Sequence, residues 1–308
     1  MKGLELSRDF YNNVGRTILE ERVPHLMEKI AIGLAGAGSE CFGYDDEHSR
    51  DHDWGPGFCI WIPEEIYKTE GPYLQQIYDT ELPDTYCGYS VRKGLISGEQ
   101  RVGVIETERF YYQFIGHTGK PKELTGWLLA PESSYACVVN GETFWNPDSG
   151  FGQIRNILKE GYPEDIRCKK LAARVVTMAQ AGQYNYPRCL KRGDKVAAVL
   201  SLAEFLKAAV SAMHLLEKRY TPFYKWMWKS ACMLPKMGKQ AVELKKLTDQ
   251  PLVEKNTETI ESVCVQIKER LIRQGLTDER CDFLEPHGRS IMDRICDKRI
   301  RSLPVLYG

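Results

Sequence analysis

The sequence has no Cys-x-x-Cys pair, no excess of charge of either sign and no long apolar run, and each absence removes a class of protein. Ten cysteines lie singly between Cys41 and Cys296, which argues against a structural zinc site, whose ligands come in closely spaced pairs. Several sit in apolar surroundings, as in Phe58-Cys59-Ile60 and Ala136-Cys137-Val138, where a reduced thiol behaves as a small hydrophobe. Lys plus Arg equals Asp plus Glu at 42 each. No overall positive field therefore exists to gather a nucleic-acid backbone, and nucleic acid is disfavoured as a partner. No stretch approaches the roughly 18 apolar residues of a membrane span. Met1–Arg22 mixes Arg, Asp and Glu with apolar residues at helical spacing, unlike a secretory signal. The expectation is a cytoplasmic protein with no membrane partner.

What is present is an ordinary globular composition, 43% apolar and 27% charged over 308 residues, long enough for two domains. The chain opens with a helix expected to be capped at Ser7, with Phe10, Val14 and Ile18 on one face, and a short helix over Pro24–Lys29. Ile30–Ala35 reads as a buried strand ended by Gly36, Gly38 and Gly43. Asp51–Ile62 reads as a second strand, kinked at Gly55-Pro56-Gly57. A helical or loop region follows to Tyr89, then a β-patterned run through Val102, Val104 and Glu106, and a last strand or hairpin over Val138–Phe144 around Asn140-Gly141.

After about Gly150 the texture becomes helical. Leu171, Val175 and Met178 mark one helix, and Val196, Val199, Leu200, Ala203, Leu206, Val210 and Met213 a long amphipathic one. Thr221-Pro222 offers an N-cap and a proline at the first helical position. Two more helices are expected over Ile260–Leu276 and Ser290–Arg299. The expected fold class is α+β, a mixed sheet with flanking helices over 1–150 and an all-α domain over 151–308. No internal repeat or low-complexity linker interrupts it.

The informative run is Gly38-Ser39 followed, after residues 40–50, by Asp51-His52-Asp53. Residues two apart on a strand project from one face, so Asp51 and Asp53 can grip one side of a divalent cation while His52 points away. Magnesium takes a few carboxylate oxygens and fills its shell with phosphate and water oxygens. Gly38 lets the backbone approach a phosphate, and Ser39 offers a hydroxyl and an amide.

This run resembles the signature of the polymerase-β nucleotidyltransferase superfamily: an apolar residue before Gly and Gly or Ser, a gap, then Asp, an apolar residue and Asp or Glu. Ala37-Gly38-Ser39 and Asp51-His52-Asp53 match it, with His52 in the apolar place. The wider wording is similar to a bacterial family related to aminoglycoside nucleotidyltransferases. It does so through Gly38–Gly55, Gly141–Phe144, Gln183-Tyr184-Asn185, Arg192-Gly193-Asp194, Tyr220–Trp226 and Phe283–His287.

The resemblance implies transfer of a nucleoside monophosphate from a nucleoside triphosphate to an acceptor hydroxyl, with pyrophosphate released. It implies two Mg²⁺ ions about 3.5–4 Å apart on Asp51, Asp53 and a third carboxylate from a later strand, for which Glu106 is the expected residue and Glu108 the fallback. Gly38 and Ser39 are then the phosphate cradle, with Arg192 and Lys225 as cations reaching the triphosphate from the helical domain. The acceptor expected is a small hydroxylated molecule. Relatives of the fold that act as antitoxins keep a second reading open, a nucleotide-binding protein with a protein partner. A weaker third is a metal-dependent phosphohydrolase.

Other readings of these residues are structural. The acids from Glu40 to Asp53 can form a solvated loop, Glu106 can be a surface strand residue, and Arg192 and Lys225 can hold interhelix ion pairs or a solvated face. Gly33, Gly36 and Gly38 do not fit the dinucleotide-binding pattern. His48 and His52 read as hydrogen-bonding residues, Trp226 and Trp228 as packing residues, and His287 as structural.

Overall fold

A computed structural model describes residues 1–50, 54–93, 100–147 and 149–308. Asp51, His52 and Asp53 lie outside the described residues, as do 94–99 and Asp148. The chain divides into two compact units, Met1–Pro121 with Ser134–Glu160, and Lys122–Ser133 with Gly161–Gly308. The division thus falls at 160 where 150 was expected, and residues 122–133 belong to the second unit.

The first unit opens with α1 (Gly3–Phe10), a π-helical turn (Tyr11–Gly15) and α2 (Arg16–Arg22), followed by a 3₁₀ turn over Pro24–Lys29. Ser7 lies inside α1 rather than capping it, and its buried hydroxyl accepts from the Gly57 amide at 3.4 Å. The sheet follows: β1 (Ala31–Leu34) and β2 (Cys59–Ile62), then α3 (Glu64–Glu81) and a two-stranded ribbon of β3 (Thr85–Tyr86) and β4 (Tyr89–Ser90). Next come β5 (Gly103–Glu106), α4 (Thr107–Ile115), α5 (Glu132–Val139, whose first two residues belong to the second unit), β6 (Glu142–Trp145) and α6 (Gly150–Lys159).

The four main strands run in the order β5-β2-β1-β6. β1 is antiparallel to both neighbours, and β2 is parallel to β5. The fold of this unit is therefore α+β with a mixed sheet. Every residue of β1 and β2 is buried, which is why both read as unbroken apolar runs rather than alternating ones. The expected second strand is shorter than its sequence pattern: the described residues Trp54–Phe58 are irregular, and β2 begins at Cys59.

Val138 belongs to the end of α5, not to a hairpin strand. The buried Arg155 guanidinium explains the break. It donates to the carbonyl oxygens of Val138 (3.1 Å), Asn140 and Gly141 (3.2 Å), satisfying helix-end groups that a ladder would otherwise take. β6 can then lie against β1 only because Gly33 has no side chain: a Cβ there would stand 2.2 Å from the Glu142 carbonyl oxygen. The register shifts at Ile32/Gly33. Beneath the sheet, Trp61 stacks on Phe151 with ring centroids 3.9 Å apart, and Phe110 meets both edge-on.

The second unit is helical: α7 (Glu164–Met178), α8 (Tyr186–Lys191), α9 (Lys195–Leu216), α10 (Tyr224–Cys232), α11 (Gly238–Glu243), α12 (Lys246–Asp249), α13 (Asn256–Arg273), α14 (Glu285–Asp293) and α15 (Lys298–Arg301). The helix expected over Ser290–Arg299 is two, α14 and α15. Thr221-Pro222 does not start a helix, since α10 begins at Tyr224 with Phe223 as its N-cap. α9 corrects the reading of no span-like run. Its 22 residues are long and apolar enough to cross a membrane, with a mean hydropathy of 1.7 over an 18-residue stretch, yet half of that stretch is buried inside the protein. Leu202, Phe205 and Ala208–Leu216 supply the buried part.

Gly33→Ala is expected to cost about 3 kcal/mol or more, because the clash is with backbone that cannot move aside. Gly150→Ala meets no atom within 4 Å and should be neutral or stabilising by up to about 1 kcal/mol. Urea midpoints of the two variants measure both.

Candidate functional site

The loop after β1 is built around two glycines in conformations that side chains rarely adopt, Gly36 (φ 117°) and Gly38 (φ 137°). Asn140 fixes Gly36 like a paired strand. Its Nδ2 donates to the Gly36 carbonyl at 2.8 Å, and its Oδ1 accepts from the Gly36 amide at 2.9 Å. The Arg101 guanidinium holds the Ala37 carbonyl at 3.0 Å. Ser39 then caps a 3₁₀ turn, Glu40–Phe42, and its carbonyl accepts from Phe42 and Tyr44 amides at 3.2 and 2.8 Å.

A buried ion pair locks the turn: Arg92 Nη1 donates to Glu40 Oε1 at 2.9 Å, with the side chains 4% and 7% exposed. Asp45, also buried, accepts from the Gly3 amide at 2.7 Å and from Trp54 Nε1 at 3.1 Å. Gly3 is where Glu40 and Trp54, which follow the two halves of the motif in sequence, come together. A Cβ there would lie 2.8 Å from Glu40 Cβ and 2.9 Å from Trp54 Nε1. Arg50, on the other side of Asp51–Asp53, places its guanidinium 5.0 Å from the Trp54 ring centroid.

Glu106 does not join this arrangement. β1 ends, and β2 begins, at the edge where Gly33 faces Cys59 and Cys59 faces Gly103. Glu106 lies beside Ile62 at the opposite edge, three strand residues or about 10 Å further on. Its carboxylate caps α4, accepting from the amides of Glu108 and Arg109 at 2.6 and 2.8 Å. Glu108 is exposed on the first turn of the same helix. The alternating pattern that pointed to Glu106 gave its strand correctly but not which end of the strand faces the glycine loop.

The residues that do gather there escaped sequence reading. Ala35, Gly36 and Ala37 border a pocket of 330 Å³ whose other walls include Gln100, Arg101, Arg109 and Gln113. Two arginines beside a glycine-rich turn can take an anion. No motif marks them, because Arg109 arrives on α4 and Arg101 just before β5. Among the described residues, no group of three or more His, Cys, Asp or Glu is arranged to hold a metal ion.

Arg192 and Lys225 both lie in the helical unit. Arg192 is exposed at the C-terminal end of α8, and the Lys225 ammonium rests 4.5 Å from the centroid of the adjoining Trp226 ring. His287 is buried between Thr277 Oγ1, 3.1 Å away, and the Cys281 carbonyl at 2.9 Å.

The same unit contains a larger cleft of 620 Å³, bordered by Glu132, Lys170, Arg174, Ser211, Thr221 and Phe223 among others. Glu132, 8% exposed, accepts from Thr221 Oγ1 (2.6 Å), Ser211 Oγ (2.9 Å) and Arg174 Nη2 (3.0 Å). Burial pushes its carboxyl upward, but Arg174, Lys170 and the Thr221 hydroxyl outweigh that and hold it below the usual range. Burial lowers the Lys170 ammonium, with Glu132 opposing.

A carboxyl depressed in the folded state contributes stability that is present above its unfolded value, about 4.3, and lost as pH falls through the folded one. Glu132→Gln should therefore cost about 3 kcal/mol at pH 7, by leaving buried cations uncompensated. It should also flatten the loss of stability on acidification. Thermal unfolding of both proteins between pH 7 and pH 3 measures this.

The family described as Domain of unknown function (DUF4037) matches residues 127–227, a stretch that contains every residue bordering the 620 Å³ cleft except Tyr307 and Gly308. No curated protein matches the chain. Among solved structures, a nucleotidyltransferase-like protein from Exiguobacterium sibiricum 255-15 is similar to it at 12% identity. That likeness covers 91% of this chain and 78% of the other, with a TM-score of 0.35.

Proposed function

We propose that the first unit is a nucleotidyltransferase that moves a nucleoside monophosphate from a nucleoside triphosphate to the hydroxyl of a small acceptor. The observation that carries this reading is the shared contact at Gly3. Glu40, which follows Gly38-Ser39 in sequence, and Trp54, which follows Asp51–Asp53, both press on that one residue, so described residues flanking the two halves of the motif meet in space.

In this reading the acceptor hydroxyl gives its proton to water, its oxygen forms a bond to the α-phosphorus, the bond from that phosphorus to the bridging oxygen breaks, and pyrophosphate leaves. The loop backbone at Gly36–Ser39, with Arg101 and Arg109, receives the phosphates. Holding donor and acceptor in line and fixed positive groups around the phosphates together supply most of the rate. Asp51 and Asp53 are the carboxylates the sequence offers for Mg²⁺, which when bound neutralises phosphate charge. Glu106 is not carried into this site. Arg192 and Lys225 enter the proposal only as exposed cations available to a triphosphate.

The commitment of Glu106 to its own helix favours one second reading, a nucleotide-binding protein that serves a protein partner and turns over little free substrate. Pyrophosphate release separates the two. With Mg²⁺ present, one nucleoside triphosphate should stabilise the protein by roughly 2.7 kcal/mol at about 100 times its dissociation constant. Asp51→Asn/Asp53→Asn should abolish that shift. Nucleotide stabilisation without pyrophosphate release across a panel of hydroxylated acceptors supports the second reading, and no stabilisation by any of ATP, GTP, CTP or UTP removes both. Glu106→Gln keeps an oxygen for the helix cap and should leave the nucleotide shift unchanged. Loss of the shift in that variant contradicts the assignment of Glu106 as a cap.

A further inference from the structure

We propose that the helical unit has a binding site of its own for a small molecule bearing an oxyanion, carboxylate or phosphate ester. The oxyanion rests on the Lys170 ammonium, and a planar apolar part lies against Phe223 and Tyr224. All the residues bordering the cleft belong to this unit, and its 620 Å³ falls in the range of small-molecule sites, about 300–1,000 Å³.

Lys170 is the feature that asks for a ligand. It is 3% exposed and borders the cleft, yet its ammonium has no hydrogen-bond acceptor among the described residues, only the Tyr162 ring with its centroid 5.1 Å away. An ammonium carries three donors, and Lys170 spends none of them on a protein acceptor among the described residues, so they are left for whatever occupies the cleft it borders. The nearby carboxylate does not fill the need, since Glu132 is already engaged by Arg174, Ser211 and Thr221.

The charges leave the same vacancy. Lys170 and Arg174 face one carboxylate, Glu132, while Lys207 and Glu204 at the rim pair with each other at 3.2 Å. Among these side chains, positive charge therefore exceeds negative by one. On another wall, Phe223 and Tyr224 hold their ring centroids 4.3 Å apart and are 45% and 70% exposed. Adjoining aromatic faces of this kind receive a planar group, with Met227 beside them as an adaptable filler.

The test uses the full chain with benzoate, phenyl phosphate, inorganic phosphate and uncharged benzamide, binding being read by calorimetry and thermal shift. Benzoate or phenyl phosphate should bind about tenfold or more tightly than benzamide, the worth of a charged hydrogen bond. The stronger of the two names the oxyanion, and inorganic phosphate binding more weakly than phenyl phosphate assigns the planar wall. Lys170→Met, which keeps the buried stem, should lose that advantage, and Lys170→Arg should recover part of it. Asp51→Asn/Asp53→Asn should bind these probes like the wild type, so the result stands apart from the transferase reading. Benzamide binding as tightly as benzoate, an unchanged affinity in Lys170→Met, or no binding of any probe at about 10 mM (a free energy near −2.7 kcal/mol) overturns the proposal. The comparison of charged with uncharged probes on the wild type decides it even if a variant fails to fold.

Discussion

The buried pair of Glu40 and Arg92 fixes the glycine loop, and the edge of the first unit on which the proposed site lies depends on it. Its members come from the turn after β1 and the segment after β4, and each is almost wholly out of water. A pair of this kind contributes little net stability when compared with apolar residues, but removing one partner is expensive, so it specifies an arrangement strongly. The Glu40 carboxylate stands where a side chain at Gly38 would have to go, 2.6 Å from a Cβ built there. The glycine is thus required twice, by its φ of 137° and by its neighbour.

Around that pair the contacts are close and of few types. Gly3 fits between Glu40 and Trp54, Asp45 accepts from the Gly3 amide, and Asn140 mimics a paired strand against Gly36. Each links a local turn to a segment distant in sequence. The loop is held by hydrogen bonds and lack of space.

The helical unit solves a different problem. Its buried charges, Glu132, Lys170 and Arg174, are gathered from α5 and α7 and tied by hydroxyls from α9 and the segment before α10. The sequence reading took Thr221-Pro222 for a helix start because that dipeptide fits a cap. Only with Glu132 2.6 Å away does the hydroxyl find its partner, and the tertiary bond overrides the local preference. The long helix α9 was legible from its spacing, yet Val196 and Leu200, read as part of its buried stripe, are exposed. Periodicity says that a face is apolar, not how far along the helix a neighbour covers it.

The sequence by itself determined the α+β class, the strand at Ala31–Leu34, the glycine turn that ends it and the long helices, because apolar periodicity and backbone freedom are local properties. It also supplied the proposal for Gly38, Ser39, Asp51 and Asp53, since that spacing is short enough to be read along the chain. Only the tertiary structure decided that Glu106 stands at the far edge of the sheet and that Arg101 and Arg109 border the pocket beside the glycine loop. It alone decided that Lys170 is buried without a hydrogen-bond acceptor. Those facts depend on strand direction, register and which helix covers which residue, and the pairing of segments far apart in sequence is set by the packing of the whole unit rather than by any run of neighbouring residues.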